Sequence, residues 1–150
     1  MITKEHIRKL AEGHIKGTGI FLVDARLSST GRITVLIDRP EGVKIEDCIS
    51  MSRFLTNELG EEGEDHDLNV SSPGLDMPFL VTEQYIKNEG HEVEVVTNAG
   101  DKLSGILRNV TSGGFDLEIV RNQKGKEPVT TMTPFNYEDV KSVTVKISFK

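Results

Sequence analysis

The spacing of apolar residues in the first third of the chain predicts a helix followed by a β-hairpin. From Thr3 to Lys16 apolar residues recur on one helix face, at Ile7, Leu10, Ala11 and Ile15, and Thr3 occupies a good N-cap position. The segments GIFLVDARL and RITVLIDR then alternate apolar and polar residues on either side of a turn at residues 28–31. We therefore expect a β-hairpin in which Ile33, Val35 and Ile37 face one layer.

A second helix and a third strand complete the first half. Residues with spacings of three and four predict an amphipathic helix with one inward face, made of Ile45, Cys48, Ile49, Ser52, Leu55 and Leu59. A strand at residues 67–71 follows. The first half therefore reads α-β-β-α-β, which favours a two-layer domain with a small sheet and helices packed on one of its faces.

The second half has a different pattern, in which short segments alternate apolar and polar residues, as Phe115, Leu117 and Ile119 do with Asp116 and Glu118. Five short strand-like segments are separated by turns: HEVEVVT, KLSGILRNV, GFDLEIV, PVTTMTPF and SVTVKISF, the last alternating at Val143, Val145, Ile147 and Phe149. Residues 82–88 allow only a short helix. The pattern predicts an α+β protein with an N-terminal α/β domain at residues 1–80 and a small C-terminal β-barrel at residues 81–150.

Composition restricts the chemistry. The 150-residue chain contains one cysteine, Cys48, and its four histidines, His6, His14, His66 and His91, lack the spacing of a metal site. The sequence contains neither a nucleophile elbow nor a phosphate-binding loop, and no apolar run is long enough to cross a bilayer. We expect a soluble, cytoplasmic protein that is not an enzyme and needs no cofactor.

Charge is concentrated in one segment. The net charge is −6, and residues 58–67 (ELGEEGEDHD) carry six carboxylates and no basic residue. Such a segment repels nucleic-acid phosphates and attracts a basic partner, although a solvated surface loop gives the same pattern. The cations Arg53, Arg121, Lys124 and Lys126 are candidates for phosphate contacts, although for Arg53 a solvated helix face is the commoner explanation.

The stretch NVSSPGLDMPF, residues 69–79, ends the third strand. Pro73 and Gly74 suit the central positions of a type II turn, and Pro78 prevents further sheet pairing at its own position. We expect an ordered corner between the two domains.

Three segments in register resemble one protein family. They are Ser71–Asp76 followed by Pro78, Thr34–Val43, and Glu46–Arg53. This combination resembles the bacterial ribosome maturation factor RimP family. The resemblance implies an N-terminal α/β domain and a C-terminal Sm-like, SH3-like barrel. It also implies a non-enzymatic assembly factor that binds the immature small ribosomal subunit and assists its late maturation. One departure is Met77, where the family usually has arginine.

The resemblance also implies partners: the immature small subunit, its rRNA, and a very basic small-subunit ribosomal protein near the decoding centre. We expect a monomer that binds the protein partner through a set of acidic and corner residues, Glu61, Glu62, Glu64, Asp65, Ser71, Ser72, Pro73, Gly74, Leu75 and Asp76. Possible rRNA contacts are Arg53, Arg121, Lys124 and Lys126. Two alternatives stay open, an Sm-type module that acts on free RNA and an enzyme of unrecognised type.

Overall fold

The computed structural model describes residues 2–122 and 124–146, and the fold is mixed α and β. The chain packs as two compact units, Met1–Pro73 and Gly74–Lys150. The sequence pattern predicted the change of domain after residue 80, whereas the packing assigns residues 74–80 to the second unit. Within the described ranges, no helix is long and apolar enough to cross a membrane.

The first unit contains two helices and a three-stranded sheet. Its elements are α1 (Lys4–Ile15), β1 (Phe21–Leu27), β2 (Arg32–Asp38), α2 (Ile45–Leu59), a 3₁₀ turn (Gly60–Gly63) and β3 (Asp67–Ser71). The strand order is β1-β2-β3, with β1 and β2 antiparallel and β2 and β3 parallel. A parallel pair needs a crossover connection, and α2 provides it.

The local signals in α1 and the hairpin are confirmed. The Thr3 side chain accepts a hydrogen bond from the backbone N–H of His6 at 3.1 Å, which satisfies a free donor of the first turn. The hairpin closes through Gly31, whose φ of 87° favours glycine. Ile33, Val35 and Ile37 of β2 are fully buried in one core with α1 and α2.

The predicted inward face of α2 was partly wrong. Met51, Leu55 and Leu59 point into the core, but Ile45 is 80% exposed and Ile49 is 46% exposed. Successive residues are separated by about 100° around a helix, so the stripe through Met51 and Leu55 turns Ile45 and Ile49 towards solvent. The predicted and the observed inward faces of α2 have the same spacing of three and four residues. Only the position of the sheet determines which of them is buried.

The second unit is a five-stranded antiparallel sheet preceded by a short helix. Its elements are α3 (Thr82–Lys87), β4 (Glu92–Thr97), β5 (Lys102–Arg108), β6 (Gly114–Arg121), β7 (Val129–Asn136), a 3₁₀ turn (Tyr137–Asp139) and β8 (Val140–Val145). The strand order is β7-β6-β5-β4-β8. The predicted continuation of the last strand through Ile147 and Phe149 lies outside the described residues.

An aromatic cluster fills the core of the second unit. Phe115 is 3% exposed, as its position in an alternating strand predicted, and Tyr85 lies against it with ring centroids 5.4 Å apart. Tyr85 also contacts Phe79 and Tyr137. Burial, and to a smaller extent the neighbouring Tyr137, raises the pKa of Tyr85 to about 12. The tyrosines therefore belong to the core rather than to a surface for stacking bases.

Candidate interaction surfaces

The acidic segment is a surface turn anchored by one buried side chain. Leu59, at the end of α2, is 8% exposed, and the chain then turns through Gly60–Gly63 into β3. A Cβ on Gly63 would lie 2.9 Å from the Leu59 Cβ, so this close turn needs glycine. The predicted partner-binding carboxylates Glu61, Glu62, Glu64 and Asp65 are all exposed here, as are Glu58 and Asp67.

Behind this turn lies a small cavity of about 250 Å³. Apolar side chains of Ile33, Leu59 and Leu68 line it together with the polar side chains of Thr56, Glu64 and His66. The Nδ1 atom of His66 is buried and has no hydrogen-bond partner. The cavity belongs to the packing between α2, the turn and the sheet, and the acidic side chains present the outer surface.

The signature segment, Ser71–Asp76 followed by Pro78, turns at a different place from the one predicted. The hydrogen bond that closes the turn joins the Met77 N–H to the Gly74 carbonyl at 3.1 Å, so Leu75 and Asp76 are the central residues. Gly74 is not among the glycines with positive φ, which a type II turn with Gly74 in the third position requires. The prediction of a type II turn centred on Pro73 and Gly74 was therefore wrong.

This turn exposes several of the predicted contact residues. Leu75 is 68% exposed, and Ser72, Gly74 and Asp76 are also exposed, whereas Ser71 and Pro73 are half-buried. A Cβ on Gly74 would lie 2.8 Å from an Asp76 carboxylate oxygen, so the turn also depends on the small residue.

The residues after this turn are fixed to the second unit. The Phe79 N–H donates to the Val143 carbonyl at 2.8 Å. The side-chain oxygen of Gln84, which is 4% exposed, accepts from the backbone N–H groups of Leu80 at 2.6 Å and Val81 at 3.2 Å. These bonds satisfy donors before α3, and they explain why residues 74–80 pack with the second unit.

The predicted cationic residues fall on both units. Arg53 is exposed on α2, beside Ser52, Thr56 and Asn57. Arg121, Lys124 and Lys126 are exposed around the connection between β6 and β7. These three, called the basic group below, lie close together in sequence at the end of the second sheet, beside the exposed Glu127.

Sequence reasoning missed an ion pair that joins two of the matched segments. Arg39, just after β2, binds Asp47 of α2 through two hydrogen bonds, from Nε to Oδ2 at 2.9 Å and from Nη2 to Oδ1 at 3.0 Å. Arg39 Nη1 also donates to the Thr18 carbonyl at 2.8 Å. Asp47 Oδ2 accepts from the Lys44 N–H at 2.9 Å and so caps the first turn of α2.

The charges of this pair reinforce one another. The hydrogen bonds from Arg39, followed by the one from the Lys44 backbone, lower the pKa of Asp47 from 3.8 to about 2. The same contact with Asp47 raises the pKa of Arg39. The acidic residue in the first turn of α2 was the available sequence signal, but it did not identify the arginine eight residues earlier.

The described residues contain no cluster of three or more histidine, cysteine or acidic side chains that could hold a metal ion. Cys48 is half-buried, and burial, with a smaller contribution from Asp47, raises the pKa of its thiol. A raised pKa lowers the fraction of reactive thiolate.

Comparison with known proteins identifies the family. The sequence model of the RimP N-terminal domain family matches residues 10–76 of this chain. A protein of Christiangramia forsetii called ribosome maturation factor RimP is 32% identical over 152 aligned positions, which cover 97% of this chain and 99% of the relative. This chain belongs to the ribosome maturation factor RimP family.

Two further RimP relatives agree along nearly the whole chain. The one from Flavobacterium psychrophilum is 30% identical and covers 99% of this chain and 100% of its own length. The one from Porphyromonas gingivalis is 30% identical and covers 94% and 96%, respectively. The RimP domain match includes Arg39, Asp47, the acidic turn and the signature segment up to Asp76.

Proposed function

We propose that this protein is a non-enzymatic, cytoplasmic ribosome assembly factor that binds the immature small ribosomal subunit and assists its late maturation. The observation that carries the proposal is similarity over nearly the whole chain to proteins called ribosome maturation factor RimP. The protein acts through an N-terminal α/β domain and a C-terminal Sm-like barrel, joined within residues 71–80. It works as a monomer on the particle and needs no cofactor.

The exposed acidic turn is the proposed docking site for a basic small-subunit ribosomal protein near the decoding centre. Glu61, Glu62, Glu64 and Asp65 follow each other closely on one surface turn, and opposite charges steer association and set specificity. The turn at Leu75 and Asp76 is a second proposed contact for this partner, and it presents one exposed apolar side chain and one exposed carboxylate.

The cationic residues are the proposed rRNA contacts. Arg121, Lys124 and Lys126 lie together on the second unit, and Arg53 lies on the first. Such groups bind phosphates without reading sequence and lose affinity as salt rises. This suits a factor that recognises a particle through protein and RNA together.

Neutralising the acidic turn tests the docking site. The variant carries Glu61→Gln, Glu62→Gln, Glu64→Gln and Asp65→Asn, and its matched control carries Glu5→Gln, Glu12→Gln, Glu83→Gln and Asp101→Asn, four exposed carboxylates elsewhere. Co-sedimentation with late small-subunit precursors at low and moderate salt should show weaker binding for the acidic-turn variant alone. Equal binding by both variants would exclude the acidic turn as the docking site and leave the family assignment intact.

Free RNA provides the test of the second function. An Sm-type module acting alone would bind naked single-stranded RNA more tightly than it binds precursor particles. The proposed function predicts the reverse order, because no charge on the acidic turn favours RNA.

A further inference from the structure

The outer edge of β7 lies at one end of the second sheet. β7 pairs with β6 through a register that runs from Gly114 opposite Asn136 to Arg121 opposite Val129, and no described residue pairs with its other side. The strand Val129–Asn136 carries no charged side chain over eight residues. An uncharged free edge presents backbone donors and acceptors to another strand.

The direction of these backbone groups follows from one hydrogen bond. The Tyr137 N–H donates to the Gly113 carbonyl at 3.3 Å, which continues the ladder between β7 and β6. Because backbone groups alternate in direction along a strand, the odd-numbered residues of β7 bond to β6. Thr130, Met132, Pro134 and Asn136 therefore direct their backbone groups outwards.

Two prolines limit this edge to a short window. Pro134 has no N–H, as suits an outward position on an edge strand, and the Asn136 N–H is already bound by Asp139 at 3.2 Å. Pro128 precedes the strand. The window between the prolines offers outward N–H groups only at Thr130 and Met132, and its central residue is Thr131.

Antiparallel pairing of this window with itself satisfies every one of those groups. With a twofold axis through Thr131, Thr130 of one copy lies opposite Met132 of the other, and each pair can exchange two backbone hydrogen bonds. Pro128 of one copy then lies opposite Pro134 of the other, so no backbone N–H group is left without a partner at those positions. Val120 is 50% exposed and Met132 is 44% exposed, and both lie on the same face of the sheet. The pairing would bring these apolar side chains of the two copies close together beside the axis.

The charges at the two ends of β7 fit the same arrangement. The exposed cations Arg121, Lys124 and Lys126 outnumber the exposed Glu127 near the start of the strand, and the exposed anions Glu138 and Asp139 outnumber the exposed Lys141 after its end. An antiparallel partner brings the basic end of one copy to the acidic end of the other. A parallel partner would instead place like charges together.

We propose that two copies of this chain associate through antiparallel pairing of their β7 edges around Thr131. This differs from the monomer that the sequence favours for the free protein. The interface uses Arg121, Lys124 and Lys126, the proposed rRNA contacts, so binding to a particle and self-pairing exclude each other. The proposal is tested on the purified protein alone and does not depend on the proposed ribosomal function.

Cross-linking tests the register. In a Cys48→Ser background, Thr131→Cys places two cysteines directly opposite across the axis, at a Cα separation of about 4.5 Å that a disulfide spans. The matched control Thr133→Cys places its two cysteines four residues apart along the strands, about 13 Å, which is too far. Oxidation should give a covalent dimer with Thr131→Cys only. Equal cross-linking of both variants, or none in either, overturns the pairing.

Analytical ultracentrifugation over a concentration series tests association without a cross-link. The wild-type protein should dimerise reversibly and less strongly in high salt, and Met132→Lys should weaken association about tenfold or more, since it brings like charges together at the axis. Ile86→Lys, at a residue 58% exposed on α3, is the matched control and should dimerise like wild type. A wild-type protein that stays monomeric at all concentrations overturns the proposal.

A charge exchange tests the contact between strand ends. Antiparallel pairing brings the connection between β6 and β7 of one copy, which contains Lys124, towards Glu138 of the other. Lys124→Glu should weaken dimerisation, and adding Glu138→Lys in the same chain should restore it. Failure of the second change to restore what the first removed overturns the proposed orientation.

Discussion

At the scale of single residues, the bond between Arg39 and Asp47 connects the end of β2 to the start of α2. Two hydrogen bonds, one to each carboxylate oxygen, give this pair a fixed geometry, and both side chains are mostly buried, with 20% exposure for Arg39 and 15% for Asp47. The pair therefore fixes the connection between strand and helix, on which the position of α2 depends.

Removing the charge of Asp47 should destabilise the first unit in a pH-dependent way. The pKa of Asp47 is lower in the folded protein, about 2, than its ordinary value of 3.8. The stabilisation is therefore present above about pH 4 and is lost as the pH falls towards 2. We expect Asp47→Asn to unfold at lower urea concentration than wild type at pH 7, with the difference shrinking below pH 4.

The measurement is urea unfolding followed by the circular dichroism of the helices. Glu46→Gln is the control, because it removes one exposed carboxylate from the same helical turn and should shift the midpoint less. A difference between Asp47→Asn and wild type that stays constant down to pH 2 would contradict the assigned ion pair.

At the scale of elements, the close pairing of β6 and β7 requires glycine at residue 114. A Cβ there would collide with the Phe135 carbonyl oxygen and lie 3.0 Å from the Asn136 Cα, both backbone atoms of β7. The neighbouring Gly113 has nothing within 4 Å of a Cβ. We expect Gly114→Ala to cost about 1–3 kcal/mol or more, and Gly113→Ala to change stability by about 0.5 kcal/mol or less.

Tyrosine fluorescence measures this effect in the second unit alone. The chain has two tyrosines and no tryptophan, and both Tyr85 and Tyr137 lie in the second unit. Equal unfolding midpoints for the two alanine variants would show that β6 and β7 do not approach as closely as described.

Local signals explain which elements could be predicted. The Thr3 cap, the hairpin around Gly31 and the alternating β6 depend on neighbouring residues, and each was found from the sequence. The inward face of α2 depends on where the sheet lies, so spacing alone selected Ile45 and Ile49 wrongly. The hydrogen bond from the Met77 N–H to the Gly74 carbonyl closes the observed turn. Pro73, followed by Gly74, favoured an earlier turn in the prediction from sequence.

The candidate site was less predictable than the fold. Composition identified the acidic turn and the basic group, since exposed charge follows from sequence. The bond between Arg39 and Asp47 and the outer edge of β7 arise from strand order and register. These depend on contacts between distant residues, which a single sequence does not display.

At the scale of the whole molecule, each unit carries one of the two charged segments that stand out in the sequence. The first carries the acidic turn and the second carries the basic group at the end of β6. Under the proposed function, a particle that offers both a basic protein and exposed rRNA engages both segments, whereas free RNA or a free protein engages one. Binding through two sites on one chain is tighter than through either alone when the geometry permits both.

The measurement that tests the central claim most directly is competition between particles for the wild-type protein. Late small-subunit precursors, mature small subunits, large subunits and naked small-subunit rRNA are each used to displace a labelled copy from immobilised precursors. The proposed function predicts that precursors compete best and that large subunits and naked rRNA compete weakly. Equal competition by large subunits, or stronger competition by naked rRNA, would contradict a role in small-subunit maturation.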